Sequence, residues 1–400
     1  MRACSSPRPP DVALFQYFPN NYIWNLSVAI ALESGGRIGE IEEMCRPLLE
    51  AAERGEDAGT PEFMRQWVLM ADRLSELAGE DLDRGRGYSA SDKLNRASLY
   101  YQVAERMQGL GTPGREETYA KALDAFSRSV AAGRRNFRRV EIPYEGGVIA
   151  GYFTQAQGAS LPAPVVLYVN GLDSTKEMLA WSNLPEALAR RGVSTLSIDQ
   201  PGTGEALRRG GLHAVHDTER WASPVVDWLE RQPEIDPRRI GMGGISLGGY
   251  FVPRAVANEP RFAAGFVWGA NHDWGEVQQA RRRNEGERPV PHYWSHVGWV
   301  WGAPDVESFL ALCPKITLDG QMEKIRVPFL VTHGEKDRQI PLKYAQRSYD
   351  QLTNSPRREL KVFTAREGGV EHVGADNMSF ACSYIADWVA ETLGGRTSPT

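Results

Sequence analysis

From about Val12 to Gly133, apolar residues recur three and four positions apart, the spacing that lines one face of a helix. The segments IEEMCRPLLEAAERG, PEFMRQWVLMADRLSELAGEDL, SASDKLNRASLYYQVAERMQG and REETYAKALDAFSRSVAAG are separated by Gly, Pro and Asp breaks and predict helices. Thr60 is a candidate cap ahead of Pro61, a residue the first helical turn tolerates, and Gly79 and Gly109 are candidate stops. No fixed period relates the segments, which points to helices packed as a bundle or lid and not to a solenoid.

Near Phe137 the period changes. RRVEIPYEGGVIAGYFTQ predicts two strands around a Glu145-Gly146-Gly147 turn, and APVVLYVNG, GVSTLSIDQPG, RRIGMGGISLGG, FAAGFVWGA, VPFLVTHG and ELKVFTARE predict further strands. NLPEALARRG, ASPVVDWLERQP and GGYFVPRAVANEP fit crossover helices between them, and CSYIADWVAETL closes the chain as a helix. Short, almost wholly apolar strands alternating with helices specify an α/β class: a mostly parallel sheet covered on both faces, entered through an antiparallel pair. The expected division is a helical unit over residues 1–136 and a sheet domain over 137–400. An Arg-, Trp- and His-rich stretch near 274–328 breaks the rhythm. It reads either as an excursion at the mouth of a site or as helices on the sheet's edge.

Composition narrows the function classes. Lys plus Arg number 46 against 51 Asp plus Glu, a formal charge of −5, which excludes a mainly electrostatic nucleic-acid or membrane-surface binder. No stretch of about 18 uninterrupted apolar residues occurs, so a cytoplasmic protein is expected. Cys4, Cys45, Cys313 and Cys382 are scattered and read as reduced thiols, with neither a zinc site nor a disulfide scaffold signalled. His272, His292 and His296 match no compact metal spacing, and DQPGTGE at 199–205 lacks the ending of a phosphate loop. No metal and no cofactor are therefore expected, and Asp199 is read as holding loop N–H groups.

The strongest chemical signal is Gly244-Ile245-Ser246-Leu247-Gly248-Gly249, set between a predicted strand and a predicted helix. That context makes GxSxG a nucleophile elbow, a sharp turn that lifts a serine hydroxyl above the sheet and leaves the Leu247 N–H to an oxyanion hole. A serine needs a base, and the base needs an orienting carboxylate, in chain order Ser, acid, His. Asp337 and His372 follow predicted strands and fit acid and base, with Glu335 as the alternative acid and His333 as a core histidine. Glu371 reads as solvated or supportive. In the loop from Asn170 to Glu177, Gly171 permits close backbone approach and the Leu172 N–H is the second candidate oxyanion donor. Lys176 is a candidate substrate contact, or else a surface partner of Glu177. The aromatic residues Trp268, Trp274, Tyr293, Trp294, Trp299 and Trp301 suit a pocket for a planar, partly apolar molecule, and His272 and Trp274 are candidate substrate contacts.

The chain resembles the alpha/beta-hydrolase superfamily, and within it the branch of 2,6-dihydroxypseudooxynicotine hydrolase, fungal polyketide-shortening hydrolases and FrsA-like esterases. The resemblance rests on GLDSTKE at 171–177, DQPGTGE at 199–205, GISLGG at 244–249, THGEKD at 332–337 and the Glu371-His372 pair, and spans most of 137–395. It implies an alpha/beta-hydrolase fold beneath an N-terminal helical cap, a Ser246, Asp337 and His372 triad, and a homodimer. The activity it implies is hydrolysis of a carbon–carbon bond next to a ketone in a small aromatic or polyketide-like substrate. It also implies an auxiliary acid after the strand that follows the nucleophile, for which Asp273 and Glu276 are the candidates. The alternative is a carboxylesterase or lactonase with the same triad, and after that a cyclase or acyltransferase.

Overall fold

In the computed structural model, which describes residues 15–18, 21–54, 59–133, 136–284 and 292–399, one 8-stranded sheet organises the molecule. The strands are β1 (Phe137–Tyr144), β2 (Gly147–Thr154), β3 (Ala163–Val169), β4 (Ser194–Ile198), β5 (Ile235–Ile245), β6 (Ala264–Trp268), β7 (Phe329–Gly334) and β8 (Arg358–Phe363). Their order is β1-β2-β4-β3-β5-β6-β7-β8. β1 pairs antiparallel with β2, and β2 antiparallel with β4, while the other pairings are parallel. This is the alpha/beta-hydrolase arrangement expected from the alternation of apolar strands and helices.

Strand parity sorts the core into two layers. Val165, Leu167 and Val169 of β3 face helices Glu219–Glu230 and Gly248–Asn258, packing with Val225, Leu229 and Val252. Val166 and Tyr168 face helices Asn183–Arg190 and Met378–Leu393 on the opposite side, with Leu184, Leu188 and Ile385. β3, β4, β6 and β7 are buried along their whole length; β3 and β6 are continuous apolar runs, while β4 carries Ser194, Thr195 and Ser197 and β7 carries Thr332 and His333 inside the core.

Ahead of the sheet lie helices Tyr22–Glu33, Ile38–Cys45, Thr60–Asp83, Gly87–Arg106 and Arg115–Gly133, which enclose their own core. Trp24, Phe63, Trp67 and Tyr100 contact one another in series, with ring centroids 5.1, 5.1 and 5.6 Å apart. Truncating one of these large buried rings, such as Trp67, removes about 3–5 kcal/mol.

The structure corrects several local expectations. Gly79 lies inside Thr60–Asp83 and is no stop, because the buried face continues through Ala78 and Asp81. The cap of that helix is Gly59, in the left-handed conformation, and not Thr60. Tyr22–Glu33, YIWNLSVAIALE, carries no sharp helical period because it is buried on two sides: Trp24 and Val28 enter the front core, and Leu26 and Ala29 pack on Ala375. The stretch from 274 contains helices Trp274–Arg283, Tyr293–Trp301 and Val306–Leu312, which join the sheet-domain core through Val297, Val300 and Phe309. Residues 285–291 of that stretch lie outside the described residues, as do Cys4 and the start of the chain through residue 14. Cys45, Cys313 and Cys382 are buried free thiols. Among the described residues, no helix is long and apolar enough to cross a membrane.

Candidate active site

β5 ends at Ile245 and the helix Gly248–Asn258 begins three residues on, so Ser246 occupies the turn between them. Its φ is 58°, a left-handed conformation that places about 1–3 kcal/mol of strain at the position. The turn is held from both sides: the Ser246 N–H donates to the Trp268 carbonyl at 2.9 Å, and the Gly249 N–H donates to the Ser246 carbonyl at 2.8 Å.

Three loops at the carboxyl ends of parallel strands then converge. His372 Nε2 lies 2.9 Å from Ser246 Oγ, and His372 Nδ1 lies 2.8 Å from Asp337 Oδ2. The other Asp337 oxygen accepts from the backbone N–H groups of Gln339 at 2.7 Å and Ile340 at 2.9 Å. Burial alone would raise the Asp337 carboxyl, but His372, His333 and the Ile340 N–H favour its charged form and hold it below the usual range. The carboxylate is thereby fixed to face the imidazole.

After β3, Gly171 passes so close to the nucleophile that a Cβ there would lie 2.8 Å from Ser246 Cβ. The next residue, Leu172, borders the same cavity as Leu247. Neither backbone N–H donates a hydrogen bond to a group among the described residues.

The cavity above Ser246 measures about 150 Å³ and is mainly apolar. A volume near 150 Å³ accommodates a benzene-sized group. Trp268, Trp274 and Tyr293 line it from the sheet domain, while Leu26 and Ile30 close it from helix Tyr22–Glu33. Arg106, at the end of helix Gly87–Arg106, also reaches this cavity and pairs with Asp173 at 2.5 Å. Neither Arg106 nor Asp173 was singled out from the sequence. Asp173 lies inside GLDSTKE, but nothing local marks Arg106.

The neighbouring acidic and histidine side chains have other hydrogen-bond or ion-pair partners. Glu335 accepts from the Ala365 N–H at 2.9 Å. His333 is buried, with Nδ1 accepting from the Ala270 N–H at 3.1 Å and Nε2 placed 2.9 Å from the Ile340 carbonyl. Glu371 is not solvated: it is buried and paired with Arg338. Asp376, which no sequence motif marked, shapes the His372 loop by accepting from the N–H groups of Gly369, Val370 and Glu371 at 2.8, 3.2 and 2.9 Å.

Several expected contacts prove to be structural. Lys176 is completely buried and does not border the cavity; its ammonium sits 2.6 Å from Glu177, 3.0 Å from Asp199 and 2.6 Å from Glu205. The chain becomes helical at Lys176 and sends the side chain toward the end of β4, where Asp199 also accepts the N–H groups of Lys176 and Glu205 at 2.7 and 2.9 Å. His272 is likewise sealed, with Nδ1 3.0 Å from Ser348 Oγ and Nε2 3.0 Å from Asp319. Neither candidate auxiliary acid reaches the cavity. Asp273 caps helix Trp274–Arg283 by accepting the Glu276 N–H at 2.8 Å, and Glu276 points to Lys343 at 3.4 Å. Of these candidate contacts Trp274 alone borders the cavity. Among the described residues, no group of three or more His, Cys, Asp or Glu is arranged to hold a metal ion.

Comparison with known proteins gives this geometry its family. The model for FrsA-like esterases matches residues 63–271, more than half of the chain. The chain belongs to the FrsA-like esterase family. The prolyl oligopeptidase family model also matches, over residues 185–396, and both lie within the alpha/beta-hydrolase superfamily. This FrsA-like chain is 27% identical to the hydrolase LUC6 of Fusarium sp over 96% of its own length and 99% of the relative's. It is also 27% identical to the 2,6-dihydropseudooxynicotine hydrolase of Paenarthrobacter nicotinovorans, over 84% of this chain and 86% of that one. In fold it resembles the crystal structure of the 2,6-dihydroxy-pseudo-oxynicotine hydrolase, with a TM-score of 0.74 at 23% identity over 93% of this chain and 98% of that chain. The FrsA-like protein is thus a hydrolase.

Proposed function

We propose that this hydrolase cleaves a carbon–carbon bond next to a ketone in a small aromatic or polyketide-like substrate, through an acyl-enzyme on Ser246. The observation that carries the reading is the Ser246–His372–Asp337 hydrogen-bond chain opening into an apolar cavity covered by Leu26 and Ile30. His372 Nε2 takes the Ser246 proton while Asp337 holds Nδ1–H, and the alkoxide attacks the carbonyl carbon. Charge on the carbonyl oxygen develops toward the Leu172 and Leu247 N–H groups. Collapse breaks the bond to the leaving carbon, which departs with the electron pair as an enolate or phenolate-like anion and takes its proton from the His372 imidazolium. Water, deprotonated by His372, then attacks the acyl carbon, releasing the carboxylic acid and restoring Ser246.

The similarity to a hydrolase named for 2,6-dihydropseudooxynicotine supports the ketone substrate. With Asp273 and Glu276 turned away, His372 is the group that delivers the proton to carbon. Residues 1–136 act in this reading as the lid that selects the substrate. A second reading, carboxylester or lactone hydrolysis by the same residues, is favoured by one observation: the carboxylate bordering the cavity, Asp173, is ion-paired with Arg106, and an oxygen leaving group needs no further acid. Incubation with an aryl β-diketone and a matched aryl ester separates the two. The first reading predicts a carboxylic acid and a ketone from the diketone; acid released from the ester alone leaves the second.

A further inference from the structure

We infer that the helix Tyr22–Glu33 positions the His372–Asp337 pair through a clamp formed by Tyr22, Arg338 and Glu371, so that the cap completes the catalytic machinery as well as covering it. The inference rests on the Ser246 reading above. Arg338 directly follows Asp337, and Glu371 directly precedes His372. Their side chains form a two-pronged ion pair, with Arg338 Nε donating to Glu371 Oε2 at 3.1 Å and the second nitrogen 2.9 Å from Oε1. The two loops that carry acid and base are therefore fastened to each other one residue away from the hydrogen bond they must hold. A backbone bond from the Lys336 N–H to the Val370 carbonyl, 2.9 Å, joins the same loops.

Helix Tyr22–Glu33 grips this junction along its length. At its start the Tyr22 ring lies 3.9 Å from the Arg338 guanidinium, a cation–π contact that covers one face of the guanidinium. In its middle Leu26 and Ala29 pack on Ala375. At its end Glu33 accepts from the Met378 N–H at 3.1 Å. Glu371 has a side chain only 4% exposed, whereas Arg338 is 42% exposed, so without Tyr22 the guanidinium would be free to leave a buried carboxylate behind. The loops would then drift relative to each other. A displacement of about 1 Å at a catalytic group lowers turnover by up to about 10²-fold. Tyr22, Arg338 and Glu371 act through His372 and are positioning residues.

The test uses the full chain and p-nitrophenyl acetate, an ester too small to depend on the cap for selection. Tyr22→Ala and Glu371→Gln are expected to lower kcat by about tenfold with KM nearly unchanged, while Tyr22→Phe, which keeps the ring, retains wild-type turnover. The downfield proton resonance of the His372–Asp337 hydrogen bond should broaden or shift in the first two variants and persist in Tyr22→Phe. If Tyr22→Ala does not fold, Arg338→Gln, at a half-exposed position, carries the same expectation. Wild-type kcat and an unchanged resonance in Glu371→Gln and in Tyr22→Ala or Arg338→Gln overturn the inference, while an inactive Ser246→Ala in the same assay leaves the serine reading standing. Activity retained by Ser246→Ala overturns that reading and this inference with it.

Discussion

Two buried charge arrays lie close together at the carboxyl ends of the strands. One is Ser246, His372 and Asp337; the other is Lys176 with Glu177, Asp199 and Glu205. Both hold carboxylates below their usual range: Asp337 against its burial by His372, and Glu205 to about 2, against its burial, by Lys176 and Arg139. Perturbed ionisation therefore does not tell them apart. Access does. Ser246 and His372 border the cavity, whereas Lys176 has no exposed side-chain surface and directs every charge at a protein partner. In the proposed reading the first array meets the substrate, and the second holds the loop that carries Gly171 and Leu172.

The largest effect expected from this contrast is on chemistry. Ser246→Ala should lower turnover by about 10⁴-fold or more while leaving the melting temperature close to wild type, as steady-state kinetics and circular dichroism would read. Lys176→Met should do the reverse in kind. Removing the cation leaves buried Glu177 and Asp199 without their ion-pair partner, while Glu205 keeps Arg139 and Arg209, and breaking a buried pair destabilises by about 3–5 kcal/mol, measurable as a fall in the denaturant midpoint. An intermediate effect belongs to the loop between the arrays. Gly171→Ala places a methyl 2.8 Å from Ser246 Cβ, so the loop must withdraw, and kcat should fall by about 10-fold to 10²-fold with a fold that still melts cooperatively.

The structural array also has a pH signature. Glu205 has its carboxyl lowered to about 2 in the folded chain, against about 4.3 when unfolded. Its contribution is complete above the unfolded value and is lost as the pH falls through the folded one. Thermal melts should therefore weaken between about pH 4.3 and pH 2, and Glu205→Gln should flatten that part of the curve. The smallest effects are expected where the sequence suggested chemistry and the structure shows none: Glu276→Gln should leave kcat and KM within about twofold of wild type, consistent with a surface substitution.

The parts of this picture that were legible in the sequence are those that local chemistry dictates. A serine between a strand and a helix, flanked by glycines, has few other uses, and Asp337 and His372 follow predicted strands in the required order. The sheet was legible because β3 and β6 are apolar throughout and the strands alternate with helical segments. What was not legible depends on which way a side chain turns or on distant packing. Lys176 reads equally well as a surface charge or a buried one until Asp199 and Glu205 are brought beside it by the fold of β4 and the following turn. Arg106 reaches the cavity from a helix whose sequence carries no sign of it. Asp273 is different: Asp273-Trp274-Gly275-Glu276 has the spacing of a helix N-terminus signal, which the reading of Asp273 as an acid left unused.

The central claim is that Ser246 carries the acyl group. Its most direct test is rapid acid quench of the protein during turnover of an activated aryl ester, followed by peptide mass spectrometry. The account predicts one acyl group, on the peptide containing Ser246, absent from Ser246→Ala. An acyl group on another residue, or turnover of the ester by Ser246→Ala at the wild-type rate, would contradict it.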